Sequence, residues 1–396
     1  MFSLSKTSKK HYRNRTCLKY SEQAYQLILA LLILLSSSTA MAAQTFDVEG
    51  SDLLLGVGSK SKALSGAVSA GVNDIYSVYW NPAGLAELTE NQASISGQLN
   101  AKMIPVNFAG VALTGEWLRF AGLKSSIALS WITRLHVKAT GAYTANDLES
   151  VFLRFALPDL PGDFNGTIES KTKDYRLTWA VMPEEDADWS FGVAVSRIDC
   201  KTFFCGVTAD NPGQYKISTT KASTYAFHVG GKYFYSDDLT FAFNLNDINT
   251  KLDVAIKTVY QNGTVQNKVL QTSFPRDLTI GTQWRYSPDM IFSFDYQMMF
   301  GNYGNYKMNM QIARAGFEYI GDSLQYRFGL LAPLKIKMGN VSDLSKKAIF
   351  PVAPSLGIGW ENESIAVDAA LYMQLLMSAQ RNRPVPGLDI SLTSKF

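Results

Sequence analysis

The sequence predicts an all-β protein: a transmembrane, up-and-down antiparallel β-barrel of about 14 strands, with a small N-terminal helical hatch plugging the lumen. Three observations predict this fold. From about residue 91 onward, apolar and polar residues alternate with a period of two, as in β-strands. The connections between these segments are long and short in turn, as in outer-membrane barrels. Residues 43–90 do not alternate and are rich in Gly, Ala and Ser.

The N-terminal segment has the features of an export signal. Six basic residues precede the apolar run Leu27–Leu35, which is too short for a membrane-spanning helix. The stretch "SSSTAMA" follows, with small residues at Ala40 and Ala42 that suit cleavage. We therefore expect residues 1–42 to be a signal peptide and the mature chain to lie in the outer membrane of a diderm bacterium. A buried N-terminal helix is the alternative.

Charge and cysteine content limit the partners and the chemistry. Removing residues 1–42 takes away six of the 37 basic residues and one of the 34 acidic residues, which leaves a net charge of −2. We therefore expect no nucleic-acid partner. Cys200 and Cys205 remain, and two such close cysteines in an exported protein are expected to form a disulfide. No metal site is expected, because neither His136 nor His228 is near the cysteines, and no cofactor is predicted.

Residues 91–396 are predicted to form the barrel. In the C-terminal stretch "GLDISLTSKF", Leu388, Ile390 and Leu392 share one face with Phe396 and polar residues share the other. A closed barrel is required because lipid cannot satisfy unpaired strand edges. The alternative is a soluble β-sandwich. The expected strands lie near residues 91–99, 106–116, 124–135, 173–182, 188–198, 222–234, 239–249, 277–286, 291–300, 311–320, 323–332, 355–361, 364–375 and 388–396.

Aromatic residues support a membrane location for these strands. Several lie beside the predicted short turns, where an interfacial girdle would place them: Trp189, Trp284, Tyr286, Tyr319 and Trp360. The chain ends with Phe396 on an alternating strand, and bacterial outer-membrane barrels commonly end in an aromatic residue that the barrel assembly machinery reads. We therefore expect outer-membrane lipid and this machinery, through the C-terminal strand, among the partners.

The stretch "NDIYSVYWNPAGLAEL" predicts a compact helical corner within residues 43–90. Asn73 or Asp74 is suited to cap a short helix through "IYSVYW". Pro82 disfavours helical geometry at Asn81 and so ends that helix. The same proline is favoured in the first turn of a following helix, with Asn81 as its cap. Small residues around this corner let it pack tightly, and the lumen of the barrel is the available container.

This N-terminal stretch resembles the hatch of the FadL-type family, outer-membrane transporters of long-chain fatty acids and other hydrophobic compounds. The matching residues are the approach "ALSGA" and the motif positions Asp74, Asn81, Pro82, Ala83 and Gly84. The PorV-like branch of the superfamily carries a similar "YWNPAGLA". The resemblance implies an uptake channel for a hydrophobic small molecule such as a fatty acid. Extracellular loops would capture the ligand, and the hatch or a lateral opening in the wall would pass it on.

The candidate ligand-binding residues are apolar loop residues and inward-facing arginines. The inward charges are expected first to pair with one another and anchor the hatch; the alternative is that one or two arginines receive a carboxylate head group, which arginine geometry suits. A PorV-like accessory protein of a secretion system and a surface adhesin on a barrel scaffold are the alternative functions. No enzyme is expected, because neither histidine lies in a recognisable catalytic signature. The candidates are Phe152, Phe155, Phe203, Phe204, Arg285, Arg314 and Arg327.

Overall fold

The structure is a computed structural model that describes most of the chain from Phe46 onward. Among the described residues, no α-helix is long and apolar enough to span a membrane. The predicted signal peptide, residues 1–42, lies outside the described residues. The described ranges are residues 46–48, 55–99, 106–119, 121–143, 164–184, 187–201, 208–211, 215–303, 306–338, 352–374, 378 and 384–396.

The described residues contain 19 strands, all in one antiparallel sheet. In chain order they are β1 (Phe46–Val48), β2 (Gln92–Gln98), β3 (Val106–Thr114), β4 (Leu123–Tyr143), β5 (Phe164–Pro183), β6 (Trp189–Lys201), β7 (Thr208–Asn211), β8 (Tyr215–Thr219), β9 (Ala222–Ser236), β10 (Leu239–Ile248), β11 (Leu252–Tyr260), β12 (Val265–Thr272), β13 (Arg276–Ser287), β14 (Met290–Tyr303), β15 (Tyr306–Ile320), β16 (Gln325–Met338), β17 (Ala353–Glu361), β18 (Ile365–Met373) and β19 (Pro386–Lys395).

Fourteen of these strands close into a barrel, which confirms the predicted fold. They are β2 to β6, β9, β10 and β13 to β19, and each pairs with the next in an antiparallel register. The ring closes where β19 pairs with β2, with Ile390 opposite Gly97 and Leu392 opposite Ile95. Closure gives every barrel strand two neighbours, so that no strand edge is left in lipid.

Side chains alternate between the lumen and the outer face along the barrel strands. In β9, Thr224, Ala226 and His228 are buried, whereas Tyr225 and Phe227 are exposed. This is the alternation of a barrel with an apolar outer band. The five aromatic residues predicted to form a girdle lie on the outer face, with exposed fractions from 38% for Trp189 to 62% for Tyr286.

The connections are short at one end of the barrel and long at the other. Two residues join β9 to β10 and two join β13 to β14, whereas residues 249–275 separate β10 from β13. Five strands that the sequence did not predict lie among the long connections. β1 pairs with the end of β4, and β7, β8, β11 and β12 extend the sheet in the order β5–β7–β8–β11–β12.

Register shifts interrupt the wall at several strand pairs, among them a β-bulge in β3 and one in β4. Gly97 pairs with Val106 and Ser96 with Phe108, so Asn107 has no opposite residue in β2. The β4–β5 register skips Arg134 in the same way. A bulge bends its strand and re-aims a side chain. Asn107 and Arg134 are consequently buried polar residues.

Residues 55–90 of the predicted hatch lie inside the barrel. They contain helix α1 (Ser59–Ala63), helix α2 (Ser77–Trp80) and the 3-10 helix Pro82–Glu87, and a further 3-10 helix, Glu116–Leu118, lies in the β3–β4 turn. Apolar hatch residues form one buried cluster with the inner face of β3, β4 and β5. We call this the hatch–wall cluster; it includes Val72, Ile75, Tyr76, Leu85, Phe108, Ala128, Ile132 and Ala180.

Candidate functional site

The corner of the hatch is built around Asn81 and Pro82. Helix α2 ends at Trp80, and Asn81 has extended backbone angles, φ −160° and ψ 106°. The Asn81 side-chain oxygen accepts a hydrogen bond from the Ala83 backbone N–H at 3.1 Å, and Pro82 opens the 3-10 helix. This is the geometry of a side-chain cap with proline at the first helical position.

The first helix of the corner is shorter than the sequence predicted. It begins at Ser77, and no side chain caps it. Asp74 instead accepts a hydrogen bond from the Tyr76 backbone N–H at 2.9 Å, which fixes the turn that leads into the helix. Asn73 is exposed. The aspartate at this position therefore shapes the approach to the corner and does not cap α2.

Glycines in the barrel wall let the hatch corner pack directly against the strand backbone. A Cβ atom on Gly192 would lie 2.3 Å from the Pro82 carbonyl carbon, and one on Gly230 would lie 2.0 Å from the Asn81 side-chain oxygen. The Asn81 side-chain amide donates to the backbone oxygen atoms of Ser69, at 2.9 Å, and Gly231, at 3.3 Å. Strands β6 and β9 thus form a seat that only glycine permits at these two positions.

A buried ion pair joins the hatch to the last strand of the barrel. The Lys62 ammonium lies 2.6 Å from the Asp389 carboxylate, and the two side chains are 1% and 0% exposed. Asp389 also accepts hydrogen bonds from the Ser59 hydroxyl at 2.8 Å and from the Asn107 amide at 2.9 Å. Asn107 is the bulged residue of β3, so the bulge supplies one donor of this network.

A second buried carboxylate, on β14, binds the hatch backbone. Asp295 accepts hydrogen bonds from the backbone N–H groups of Val68 at 3.0 Å and Ser69 at 2.9 Å, and from the Ser69 hydroxyl at 2.7 Å. Arg314 on β15 donates to the Ser65 carbonyl at 2.7 Å and lies 5.7 Å from the Trp80 ring centroid. These charge-assisted bonds hold the loop between α1 and α2.

Wall side chains also satisfy carbonyl groups that the short hatch elements leave unpaired. Lys232 donates to the Val72 carbonyl, Arg176 donates to the Val78 carbonyl at 2.7 Å, and the Asn244 amide donates to the Trp80 carbonyl at 2.7 Å. Lys232 also pairs with Glu87 at 2.5 Å. Burial raises the pKa of Glu87. The hatch is therefore held by donors from several strands around the ring.

A network of charges lies beside Lys60 on the hatch. The Glu318 carboxylate raises the pKa of Lys60, and burial raises the pKa of Asp74. Arg327 binds Glu318 and Asp368, each at 2.6 Å. Charges of both signs are thus brought together at this position of the lumen.

The predicted ligand-binding residues fall into three groups. Phe152, Phe155, Phe203 and Phe204 lie outside the described residues, as does Cys205. Arg285 is exposed near the short-turn end of β13. Arg314 and Arg327 are 4% and 3% exposed and bind hatch or wall groups. These contacts match the expectation that inward charges pair and anchor the hatch, and a ligand role for the three arginines stays a prediction.

Cys200 lies at the outer end of β6, where it is 2% exposed and disulfide-bonded. The pairing with Cys205 stays a prediction. The sequence did not single out Lys62, because a lysine in a Gly- and Ser-rich stretch carries no signal of burial. Its partner Asp389 was placed on the inner face by strand alternation, but a partner 327 positions away leaves no trace in one sequence.

His228 lies in a buried polar group on the barrel wall. Its Nε2 atom lies 2.9 Å from the Ser196 hydroxyl, and its Nδ1 atom lies 3.0 Å from the Asn246 side-chain oxygen. Serine, histidine and a third orienting residue are the parts of a nucleophilic site. Ser196 and His228 are each 1% exposed, however, so this hydroxyl is closed to a substrate. The group joins neighbouring strands within the wall.

A groove of 890 Å³ lies on the outer face of the barrel. Small residues of β2, β3 and β4 form part of its lining: Ser94, Gly110 and Ser130. The hatch lies directly behind them, because the Tyr76 hydroxyl is 2.7 Å from the Ser94 hydroxyl and Ile75 is 3.2 Å from the position of a Cβ on Gly110. The groove and the hatch–wall cluster therefore meet the same part of the wall from opposite sides.

Comparison with solved structures places this fold among known channels. The chain is similar to the Ralstonia pickettii toluene transporter TbuX, with 13% identity and a TM-score of 0.56 over 86% of this chain and 98% of that one. It is similar to a Pseudomonas aeruginosa FadL homologue, with 12% identity and a TM-score of 0.55 over 89% and 99%. For the P. putida toluene transporter TodX the values are 11% and 0.53 over 86% and 97%.

No protein-family profile and no curated protein sequence matches the chain. At these identities the structural similarity establishes the fold. It is consistent with the resemblance that the hatch motif carries, since the matched structures include a FadL homologue. The chain therefore has the fold of the FadL-type outer-membrane channels, a 14-stranded barrel with a hatch in its lumen.

Proposed function

We propose that this protein is an outer-membrane channel for the uptake of apolar small molecules. One observation carries the proposal. The hatch and an apolar outer groove lie on opposite sides of the same part of the barrel wall. A channel for polar solutes needs an open aqueous lumen. Here residues 55–88 occupy the lumen and are held there by buried charges.

The lining of the groove suits an apolar solute. Outward-facing residues give it an apolar surface, among them Ile95, Val111, Leu129 and Leu177. An apolar molecule that crosses the wall here moves from the hatch–wall cluster into the apolar band of the membrane. Such a path keeps it out of water throughout, which the hydrophobic effect favours.

The bulges at Asn107 and Arg134 support a lateral path. Bulges bend a strand and weaken local pairing, and these two lie in neighbouring strands at the edge of the groove region. We infer that residues 43–90 form the gating unit, residues 91–396 form the pore, and extracellular loops capture the ligand first. The matched structures include toluene transporters and a monoaromatic hydrocarbon channel, so toluene belongs beside fatty acids among the test solutes.

The experiment is an uptake assay in cells that express the chain. We expect expression to raise the initial rate of entry of radiolabelled toluene or oleate, and to leave sucrose entry unchanged. The double variant Ala93→Trp/Ala109→Trp fills the groove from its outer face and should lower the rate towards that of cells without the protein.

A control variant tests whether lower uptake comes from blocking the groove or from adding two large side chains to the outer face. Ala313→Trp/Ala315→Trp places the same side chains on the outer face of β15, away from the groove, and should transport normally. Entry of neither solute above background contradicts the uptake proposal. Full transport by the groove-filled variant would instead mean that the solute passes across the hatch and not through the groove. Extracted lipid analysed by mass spectrometry identifies the ligand class that copurifies with the protein.

A further inference from the structure

A ladder of basic residues lies on the outer face of the wall, at the long-connection end of β5, β6 and β9. Lys173 on β5 lies opposite Asp199 on β6, and Arg197 on β6 lies opposite Tyr175. Lys221, which directly precedes β9, is exposed. We call Lys173, Arg197 and Lys221 the basic ladder. Together with Asp199 they line a surface pocket of 490 Å³.

These side chains point away from the lumen. Thr172, Asp174 and Arg176 are the buried, inward residues of β5, which leaves Lys173 and Tyr175 on the outer face. On β6, Ser196 and Ile198 face inward in the same way, and the side chain of Arg197 is 58% exposed. Its ion pair with Asp199, at 3.2 Å, leaves the ladder with an excess of two positive charges.

The basic ladder lies near the boundary of the apolar band on the side of the long connections. Along β6 the outward residues run from Trp189 at the short-turn end through Phe191, Val193 and Val195 to Arg197. The eight steps from Trp189 to Arg197 along the strand span about 27 Å. At a tilt of about 40° they cover about 20 Å of membrane depth, against an apolar band of about 25 Å. The basic ladder therefore lies at the level of lipid headgroups, on the side of the long connections.

Apolar surface continues directly below the ladder. Tyr175, Arg197 and Tyr225 all line the outer groove of 890 Å³, together with Leu177 and Val195. Arg197 lines both the groove and the smaller pocket, so the two are continuous. A cationic pocket above an apolar groove is complementary to a molecule with an anionic head and apolar chains.

We propose that the basic ladder binds one phosphorylated, acylated lipid of the outer leaflet. Its phosphate contacts Lys173, Arg197 and Lys221, and its acyl chains lie in the groove against Leu177 and Val195. Arginine and lysine are the side chains that best hold a phosphate. A phosphate needs such cationic partners, whereas the acyl chains need the apolar groove. The lipid can therefore bind in one orientation only, with its phosphate on the basic ladder and its chains in the groove. The inference rests on the outer-membrane location and does not require that the groove pass a solute.

The experiment is native mass spectrometry of the full-length mature protein in detergent, titrated with dioleoyl phosphatidic acid. We expect one phosphatidic acid per chain to be retained, and dioleoylglycerol, which has the same acyl chains and no phosphate, to bind more weakly by about tenfold or more, as expected for loss of a charge-assisted contact. The triple variant Lys173→Gln/Arg197→Gln/Lys221→Gln should weaken phosphatidic acid binding by a similar factor. Its folded fraction is checked by the gel mobility of the unheated barrel.

The matched control neutralises three exposed cations on strands that do not border the groove: Arg276, Lys307 and Lys337. That variant should bind phosphatidic acid as the unchanged protein does. Equal affinity for the two lipids, or unchanged binding by the ladder variant, would overturn the proposal. Displacement of the lipid by millimolar inorganic phosphate would also overturn it, because the pocket would then recognise the phosphate alone. A chain that binds the lipid but transports no apolar solute would refute only the uptake proposal.

Discussion

Breaking the ion pair between Lys62 and Asp389 should release the first part of the hatch from the barrel. Lys62→Met removes the charge and keeps an unbranched side chain of similar length. Asp389 then retains the Ser59 hydroxyl and the Asn107 amide as donors, but it has lost the ammonium that lies 2.6 Å away. The carboxylate is 0% exposed, so water does not replace the lost partner while the hatch stays docked.

The size of the effect follows from burial on both sides of the pair. Removal of one partner from a buried ion pair destabilises by about 3–5 kcal/mol, because the remaining charge is left uncompensated. With tenfold per 1.4 kcal/mol, undocking of the hatch should become more frequent by about 100- to 4,000-fold. The double variant Lys62→Met/Asp389→Asn removes both charges and should recover most of this loss.

Hydrogen exchange followed by mass spectrometry measures this release in the folded barrel. Peptides that cover residues 59–69 should exchange faster in Lys62→Met, whereas peptides from β14 report on the barrel and should not change. The control is Lys395→Met, which removes an ion pair with Glu361 at the barrel rim. Exposed pairs contribute about 0–1 kcal/mol, so this change should leave the hatch peptides unaffected.

Two results would contradict the reasoning. Unchanged exchange of residues 59–69 in Lys62→Met would mean that the ion pair does not hold the hatch. Equal exchange in the single and double variants would mean that the lost packing of the lysine side chain, and not the uncompensated charge of Asp389, is responsible for the release.

Three further predictions concern the hatch. Gly230→Ala should displace the corner, since its Cβ would lie 2.0 Å from the Asn81 oxygen, whereas Gly316→Ala, with its nearest contact at 3.1 Å, should be milder; equal thermal stability of the two barrels would argue against the glycine seat. Asn81→Ala should destabilise the corner by about 1 kcal/mol, seen as faster exchange of residues 82–88, and unchanged exchange would exclude a capping role. Deletion of residues 44–88 should leave a barrel that inserts but leaks small polar solutes; a conductance in planar bilayers equal to that of the full chain would show that the hatch does not block the lumen.

Strand alternation was sufficient to predict the 14-stranded barrel, because one face of each strand contacts lipid and the other contacts the hatch. The strand β11 was missed for a definite reason. Leu252, Val254 and Ile256 alternate with polar or small residues, but they lie within a connection that the long and short pattern assigns to a loop. Periodicity identifies such a strand, but it does not tell whether the strand belongs to the ring or extends beyond it.

The contacts that hold the hatch could be predicted only in part. Alternation places Asp295, Arg314 and Asp389 in the lumen, and the proline places the corner. The partners of these charges, such as Lys62 and the Ser69 backbone, depend on how a segment without regular periodicity packs in three dimensions. The bulge at Asn107 is equally invisible in the sequence, because a single extra residue does not break the alternation enough to be recognised.

Closure of the ring also imposes an order on folding. The hatch precedes β2 in the chain, whereas Asp389 lies on β19, which follows the other barrel strands in chain order. Lys62 therefore has no carboxylate partner on β19 until the C-terminal strand has arrived beside β2, where Asp389 pairs with Gln98. The seam that completes the barrel and the charge that retains the hatch are thus formed by the same strand. A chain truncated before β19 would lack both, and a ring closed without the hatch would leave the Asp389 carboxylate in an open lumen without its cation.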